Sequence, residues 1–499
     1  MSRHWSLILI FTLILLGKLS GFIKDVLITF YHGVSTITDA YFLSSSISSV
    51  LYMAIHSAIP VLVVPLYSRL VVNGTSVRVD KDLSAAMFFF FFVSVCVATV
   101  VFAAAPWLVD LFAGAIDGRV KELAVSYLYI MALTFALSSL VSFFNAIQTV
   151  NKVVVPSYAV PIVNNVVFCL GLFSFSLAID FDKVLLLGVL AWFVLLLVNY
   201  FISRRTFSFK SRAAFLFFAD KKFIILFLPA AVSFYVEQLN GFVGVYFATK
   251  LGVGAISVFG YSSKLSMIFL SVFLVFLTAS LFPRIAVVAA RTDQAELFKY
   301  LNDCIRLVAI CSVPVVIYMS FYSAEIVSVL FQRGKFSGDD VVRVAAVFSV
   351  ALFALPSCLV RDIMNRVFFS HGNTLMPVLL SLAALAINFA LSYLLYQEHG
   401  LVGLAVSVVV SSALNGVVMT FLVQRKIGFN LLVPGLKVIA LCCIGGLVAY
   451  LVLGWLHGVF PEYWLLLFVP FVLVYLVCLS AFRMKEVQVV AALLRRRSA

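Results

Sequence analysis

The chain has 499 residues, 64% hydrophobic and 11% charged, with a net charge of +14 and a mean hydropathy of +1.16. A soluble domain carries about a quarter charged residues, so a water-soluble enzyme is excluded and a polytopic membrane protein is indicated. The excess of Lys and Arg falls in alternate loops, which argues for membrane topology and against nucleic-acid binding.

Reading about 20 apolar residues per span gives about fourteen membrane helices and no strands. Their centres lie near residues 17, 52, 98, 135, 165, 193, 236, 268, 315, 353, 385, 412, 445 and 473. The expected fold class is therefore an all-α polytopic membrane protein. The first span, with Lys18 after its apolar run and no small-residue cleavage site, is read as retained. One set of loops holds the basic groups, among them Arg69, Lys152, Arg204–Lys222, Arg284–Arg306 and Arg425/Lys426, together with the tail from Arg483. The positive-inside rule then puts both termini in the cytoplasm.

The first two spans contain four charges, Lys18, Lys24, Asp25 and Asp39. Leu7–Gly17 and Ala40–Pro65 around them have no Asp, Glu, Lys or Arg, and His56 is the titratable group of the second stretch. A charge at membrane depth costs roughly 2.5–3.5 kcal/mol on insertion scales, so such residues normally face a protein interior or a wet cavity. Lys18 and Lys24, six apart, lie within about 120° of one another around a helix. Asp25 adjoins Lys24, and Asp39 opens the second span within reach of either lysine. Two readings stand: a closed ion-pair network that locks the hairpin, or a cationic patch facing a cavity.

The basic stretch 203–222 follows the sixth span and divides the chain. Across it the sequence faintly repeats: "HGVSTITDAYFLSSSIS" (32–48) aligns with "LGVGAISVFGYSSKLSM" (251–267), matching Gly33 to Gly252, Val34 to Val253 and Ile37 to Ile256. This suggests two six-span halves related by an axis along the membrane normal, residues 1–205 and 223–426. Residues 206–222 are the basic cytoplasmic linker, and 427–499 add two further spans and a basic tail. A second polar cluster, Glu237, Gln238 and Asn240 with Lys264, sits on the seventh and eighth spans. Glu237–Lys264 is either an internal pair or part of one cavity with the first cluster. Three lysines against few acids favour an anionic substrate, and Lys suits phosphate as a compact point charge. Asn145, Asn164 and Asn165 either line that cavity or bond neighbouring helices.

Pro60, Pro65, Pro156, Pro161, Pro314 and Pro356, with Gly17 and Gly21, fall inside spans and are read as sites of helix bending. The eight cysteines are expected to be small packing residues, with neither disulfide nor metal-ligand spacing. Arg361/Asp362 and Arg366 read as an interfacial anchor. No nucleotide loop, dinucleotide fingerprint or metal-ligand pair is present, so neither a cofactor nor an enzymatic activity is expected.

"GKLSGFIKDVLITFYHGVSTITDAYF" (17–42) resembles the opening of the MurJ/MviN lipid II flippase family. "LFQRGKFSGDD" (330–340) is similar to that family's loop before the tenth span. "GAISVFGYSSKL" (254–265), Gln238/Asn240 and "HGLVGLAVSVVVSSALNG" (399–416) fit as well. The resemblance covers essentially the whole chain. It implies the multidrug/oligosaccharidyl-lipid/polysaccharide exporter fold, with two six-helix lobes, a cationic central cavity and two extra helices. It further implies alternating-access flipping of an undecaprenyl-pyrophosphate-linked peptidoglycan precursor across the bacterial inner membrane, by a monomer. Membrane potential, an ion gradient or consumption of product would drive it, with membrane lipids and cell-wall synthesis enzymes as partners. On this resemblance Lys18, Lys24 and Lys264 stand at family arginines and Asp39 at an acidic position. Tyr52 replaces an arginine, and Ser57 and Met267 replace acids. The alternatives are a flippase for another lipid-linked oligosaccharide, a cation-coupled drug antiporter, or a scaffold that recruits cell-wall enzymes.

Overall fold

An apolar chain in hydrocarbon must satisfy its backbone within each segment, and helices do this. The computed structural model describes residues 3–73, 76–114, 116–153, 155–175, 181–204, 206–207, 221–290 and 293–482, and among these every regular element is helical. In chain order they are α1 (Arg3–His32), α2 (Thr36–Ser48), a π-helical segment (Ser49–Met53), α3 (Ala54–Asn73), α4 (Ser76–Ala113), α5 (Gly118–Val150), α6 (Val155–Phe175), α7 (Phe181–Ser203) and α8 (Lys221–Ala248). There follow α9 (Ala255–Ser280), α10 (Phe282–Ala290), α11 (Gln294–Phe321), α12 (Ser323–Phe331), α13 (Gly338–Ala351), α14 (Ala354–Ser370), α15 (Leu375–Ile427), α16 (Leu432–Val459) and α17 (Phe468–Ala481). Ten of the described helical stretches are long and apolar enough to cross a membrane. The expected centres at 385 and 412 both fall in the 53-residue α15, which changes direction at Gly400, φ 55°. The centre at 353 falls at the break between α13 and α14. The basic linker 206–222 and the tail from Arg483 lie largely outside the described residues.

The described chain forms two compact units, residues 1–260 with 331–340, and residues 261–330 with 341–499. In the first unit α5 is central, packing on α2, α3, α4 and α7. Ile59, Leu62 and Val63 of α3, Phe90 of α4 and Phe143 and Ile147 of α5 make one buried core. A polar tie links α5 to α7, where Gln148 donates to Asn199 Oδ1 (3.1 Å) and to Ser203 Oγ (3.0 Å). In the second unit α14 packs on α15, α10 and α11, and α16 packs on α11 and α17. Gly446 lets α16 approach the Ile317 side chain of α11, and Gly445 faces Tyr475 and Cys478 of α17.

Three sequence readings need correction. Pro156 and Pro356 fall in the first turns of α6 and α14, where a missing N–H costs nothing, so they start helices and do not bend them. Gly17 and Gly21 are contact points: a Cβ there would lie 3.8 Å from Ile162 and 3.3 Å from Asn165 of α6. Cys96, Cys311 and Cys443 are exposed rather than packed.

Candidate functional site: the charged hairpin of α1 and α2

Lys24 projects from α1 where that helix packs on α6. The glycines of α1 bring the two helices close, and Asn165 of α6 donates to Ser20 Oγ (3.2 Å) and to the Gly17 carbonyl (3.4 Å). Of the two readings of this asparagine, helix bonding is the one the geometry shows. The Lys24 ammonium sits 5.4 Å from the centroid of Phe168, a cation–π contact strengthened by partial desolvation. Tyr41 of α2, Asp25 and Cys169 of α6 surround it electrostatically, with Tyr41 also as a hydrogen-bond partner. Lys24 is half-buried, Asp25 buried and Lys18 exposed. The two lysines therefore differ in kind: one is held in a polar-aromatic nest, the other stands out from the helix.

Asp39 is 1% exposed and its carboxylate caps the start of α9. It accepts from Gly254 N (2.5 Å) and Ser257 N (2.7 Å), and Ser257 Oγ donates to it as well. The sequence explains the need. α2 begins with its own capping box, Ser35 N donating to Thr38 Oγ1 (2.9 Å) and Thr38 N to Ser35 Oγ. In the second repeat the residue aligned with Ser35 is Gly254, which has no side chain to offer. Asp39 supplies the missing cap from another helix, and its charge complements the positive end of the α9 dipole. Asp39 thus bonds the start of α9, a partner that neither reading of the hairpin charges had named. Beside it lies a cavity of 190 Å³ whose lining includes Asp117 and Lys250.

The loop 331–340 also belongs to this first unit. Lys335 N donates to the Phe30 carbonyl at the end of α1 (2.9 Å). Gly33 (φ 57°) and Gly334 (φ 61°) both adopt left-handed backbone. A Cβ on Gly33 would lie 2.5 Å from the Lys335 carbonyl oxygen, and one on Gly334 would strike the Phe30 carbonyl. Two glycines facing two backbones explain why "QRGKF" docks against "YHGVS". Ser337 and Asp340 then cap α13 reciprocally, at 2.9 and 3.2 Å.

Of the second cluster, Glu237 is exposed and Gln238 and Asn240 half-buried on α8 in the first unit, while Lys264 is half-buried on α9 in the second. Arg361 bonds its neighbour Asp362 at 3.0 Å, and Arg366 stacks over Phe282 at 4.6 Å. Sequence reasoning passed over Tyr41, Phe168 and Thr38. The Tyr41–Phe42 pair two residues after Asp39 was the available signal for an aromatic wall beside a buried charge.

A model of the family described as "Lipid II flippase MurJ" matches residues 28–475. This chain belongs to the MurJ family. A curated relative from Aquifex aeolicus, named a probable lipid II flippase MurJ, is 26% identical over 381 residues, 74% of this chain and 73% of its own length. A solved structure of lipid II flippase MurJ in an inward closed conformation matches with TM-score 0.82 at 20% identity, covering 95% of this chain and 98% of that one. An inward-facing multidrug-resistance transporter of the MATE family matches more loosely, with TM-score 0.69 at 13% identity over 84% of this chain and 98% of its own. The two structures share the fold with this chain, and membership in the MurJ family makes it a multi-pass membrane protein of a transporter family.

Proposed function

We propose that this chain flips an undecaprenyl-pyrophosphate-linked peptidoglycan precursor across the bacterial inner membrane by alternating access, with both termini cytoplasmic. The observation that carries this reading is the family match over 28–475, and the Lys24 nest supplies its chemistry. A half-buried ammonium at membrane depth, held by an aromatic face and a phenol, suits a pyrophosphate whose polyprenyl tail stays in lipid. Lys18 and Lys264 would share the anion, Gln238 and Asn240 would meet sugar hydroxyls, and Glu237, Asp25 and Asp39 would balance the cationic charge. The scheme treats residues 1–205 and 223–426 as two lobes, with 206–222 as linker and 427–499 as the added helices and tail. The protein would act as a monomer, handing product to cell-wall synthesis enzymes.

One observation favours a second cargo. Tyr52, where the family arginine is expected, is buried and stacked on Phe135, which removes a bidentate anion ligand and suits another lipid-linked oligosaccharide. The test is purified protein in liposomes with fluorescent lipid II or a lipid-linked O-antigen unit, scoring headgroups accessible from outside. Flipping of lipid II that Lys24→Ala abolishes supports the proposal. Transport of the second substrate alone overturns the cargo, and transport of neither overturns the function.

A further inference from the structure

The first unit contains an ionisable group that the cationic site does not use. His56 lies near the middle of the helical stretch Thr36–Ser68, which is long and apolar enough to span a membrane. Its Nδ1 is buried with no hydrogen-bond partner. The segment just before it, Ser49–Met53, is π-helical, a form that recurs at functional sites because it widens one turn and frees backbone carbonyls. One of these, Leu51 O, accepts from the Tyr235 hydroxyl of α8 at 3.3 Å.

The surroundings of His56 are hydroxyl-rich. Tyr52, one turn earlier, has its ring 6.2 Å from the imidazole and accepts from Ser138 Oγ of α5 at 3.2 Å. Ser94 of α4 and Ser139 of α5 also reach the Tyr52 hydroxyl. Ser142 of α5 donates to the His56 carbonyl at 3.3 Å. Trp192 of α7 meets the imidazole edge-on, 6.3 Å between centroids at 76°. From α8, which packs on α3, the titratable groups within residues 231–240 are Tyr235 and the exposed Glu237. A buried imidazole nitrogen without a hydrogen-bond partner, beside a cluster of hydroxyls and a widened turn, has the parts of a proton-binding site.

We propose that His56 takes up a proton during the transport cycle, with the Tyr52 hydroxyl and the Ser138 and Ser94 hydroxyls that reach it as its relay. The bond formed is Nδ1–H, the proton comes from water, and the ring gains one positive charge. The charged ring is costly among apolar helices, so protonation favours whichever arrangement admits water to the π-helical turn. Proton binding and helix rearrangement are then linked. Only the consequence for flipping rests on the proposed function; the proton site stands on its own geometry.

The experiment has two arms on the full chain. Tryptophan emission in detergent is followed from about pH 8 to about pH 4, because imidazolium quenches a neighbouring indole. The wild type is expected to lose emission along a single-group curve that Trp192→Phe removes and that His56→Gln and His56→Asn flatten. In liposomes, an imposed pH gradient is expected to change the wild-type flipping rate several-fold and to leave that of His56→Gln unchanged. A Trp192 signal that titrates equally without His56, or not at all, overturns the proposal, as does an unaltered gradient response in both variants. Failure of the wild type to flip any lipid-linked glycan would instead refute the proposed function, with the fluorescence arm still readable.

Discussion

Thr38 Oγ1 and Ser257 Oγ lie 2.8 Å apart, and the two residues occupy the same place in the two copies of the internal repeat. Equivalent positions of a duplicated turn therefore touch each other, with Asp39, one residue on, gripping the start of α9. Gly33 and its repeat mate Gly252 both adopt positive φ, 57° and 91°, so the faint alignment of 32–48 with 251–267 reflects two turns with a common backbone need. The copies then diverge in how they are capped. The first caps itself with Ser35, whereas the second has Gly254 and borrows a carboxylate.

That borrowed cap sets the first prediction. Asp39→Ala leaves two buried N–H groups without an acceptor, at about 1–3 kcal/mol for each orphaned donor. Asp39→Asn keeps one acceptor oxygen and loses mainly the charge–dipole interaction, worth about 0.3–1 kcal/mol. Thermal unfolding in detergent should rank wild type above Asn, and Asn above Ala. Midpoints equal to the wild type's in both variants would show that the cap contributes no stability.

The second prediction concerns the two facing glycines. Gly33→Ala and Gly334→Ala must each adopt left-handed backbone, at about 1–2 kcal/mol, and must also displace a backbone carbonyl. Gly114 is the control, with φ 64° but nothing within 4 Å of its would-be Cβ. Gly114→Ala should therefore cost the conformational part only. The measurement is the difference in unfolding midpoint, and near-identical losses at all three sites would show that the loop 331–340 gives way freely.

The sequence revealed the spans because apolar runs of membrane length admit few structures. It revealed the charged hairpin because Lys24 and Asp39 interrupt such runs. It did not reveal their partners. Asp39 could pair with a lysine or with a helix terminus, and the choice depends on α9 arriving beside it from more than 200 residues away. Lys24 faces Phe168 and Cys169 only because Gly17 and Gly21 draw α6 in, and a glycine in a span reads equally well as a kink. The π-helical segment was invisible because SVLYM has no composition that separates it from an ordinary turn.

The third prediction separates the two lysines. Lys24→Ala removes a partly desolvated charge, and a charge-assisted contact to pyrophosphate is worth about 1.5–3 kcal/mol, so affinity should fall at least tenfold. Lys24→Arg keeps the charge and the aromatic contact and should retain most binding. Lys18 is exposed, and Lys18→Ala should cost less because water screens its charge. Binding of a lipid-linked pyrophosphate to purified variants at several salt concentrations checks the order, with the steepest salt dependence expected for the exposed lysine's share. A larger loss at Lys18 than at Lys24 would place the anion at the exposed lysine and outside the Lys24 nest.

The fourth prediction tests why an arginine is absent at position 52. Tyr52 is 5% exposed, lies flat on Phe135 with centroids 4.4 Å apart at 4°, and accepts from Ser138. Tyr52→Arg would put a guanidinium with five donors where the neighbours are a phenyl face and a few hydroxyls, with no described carboxylate bonded there to compensate. The cost should approach the roughly 2.5–3.5 kcal/mol of a charge at membrane depth. Tyr52→Phe loses the hydroxyl's contacts with Ser138, Ser94 and Ser139, about 1 kcal/mol for each hydrogen bond lost, and keeps the stack. Unfolding in detergent should therefore show a smaller loss for Phe and a large one for Arg. If Tyr52→Arg is as stable as the wild type, this face of the Ser49–Met53 segment is wet rather than packed, and position 52 regains its claim to touch the anion.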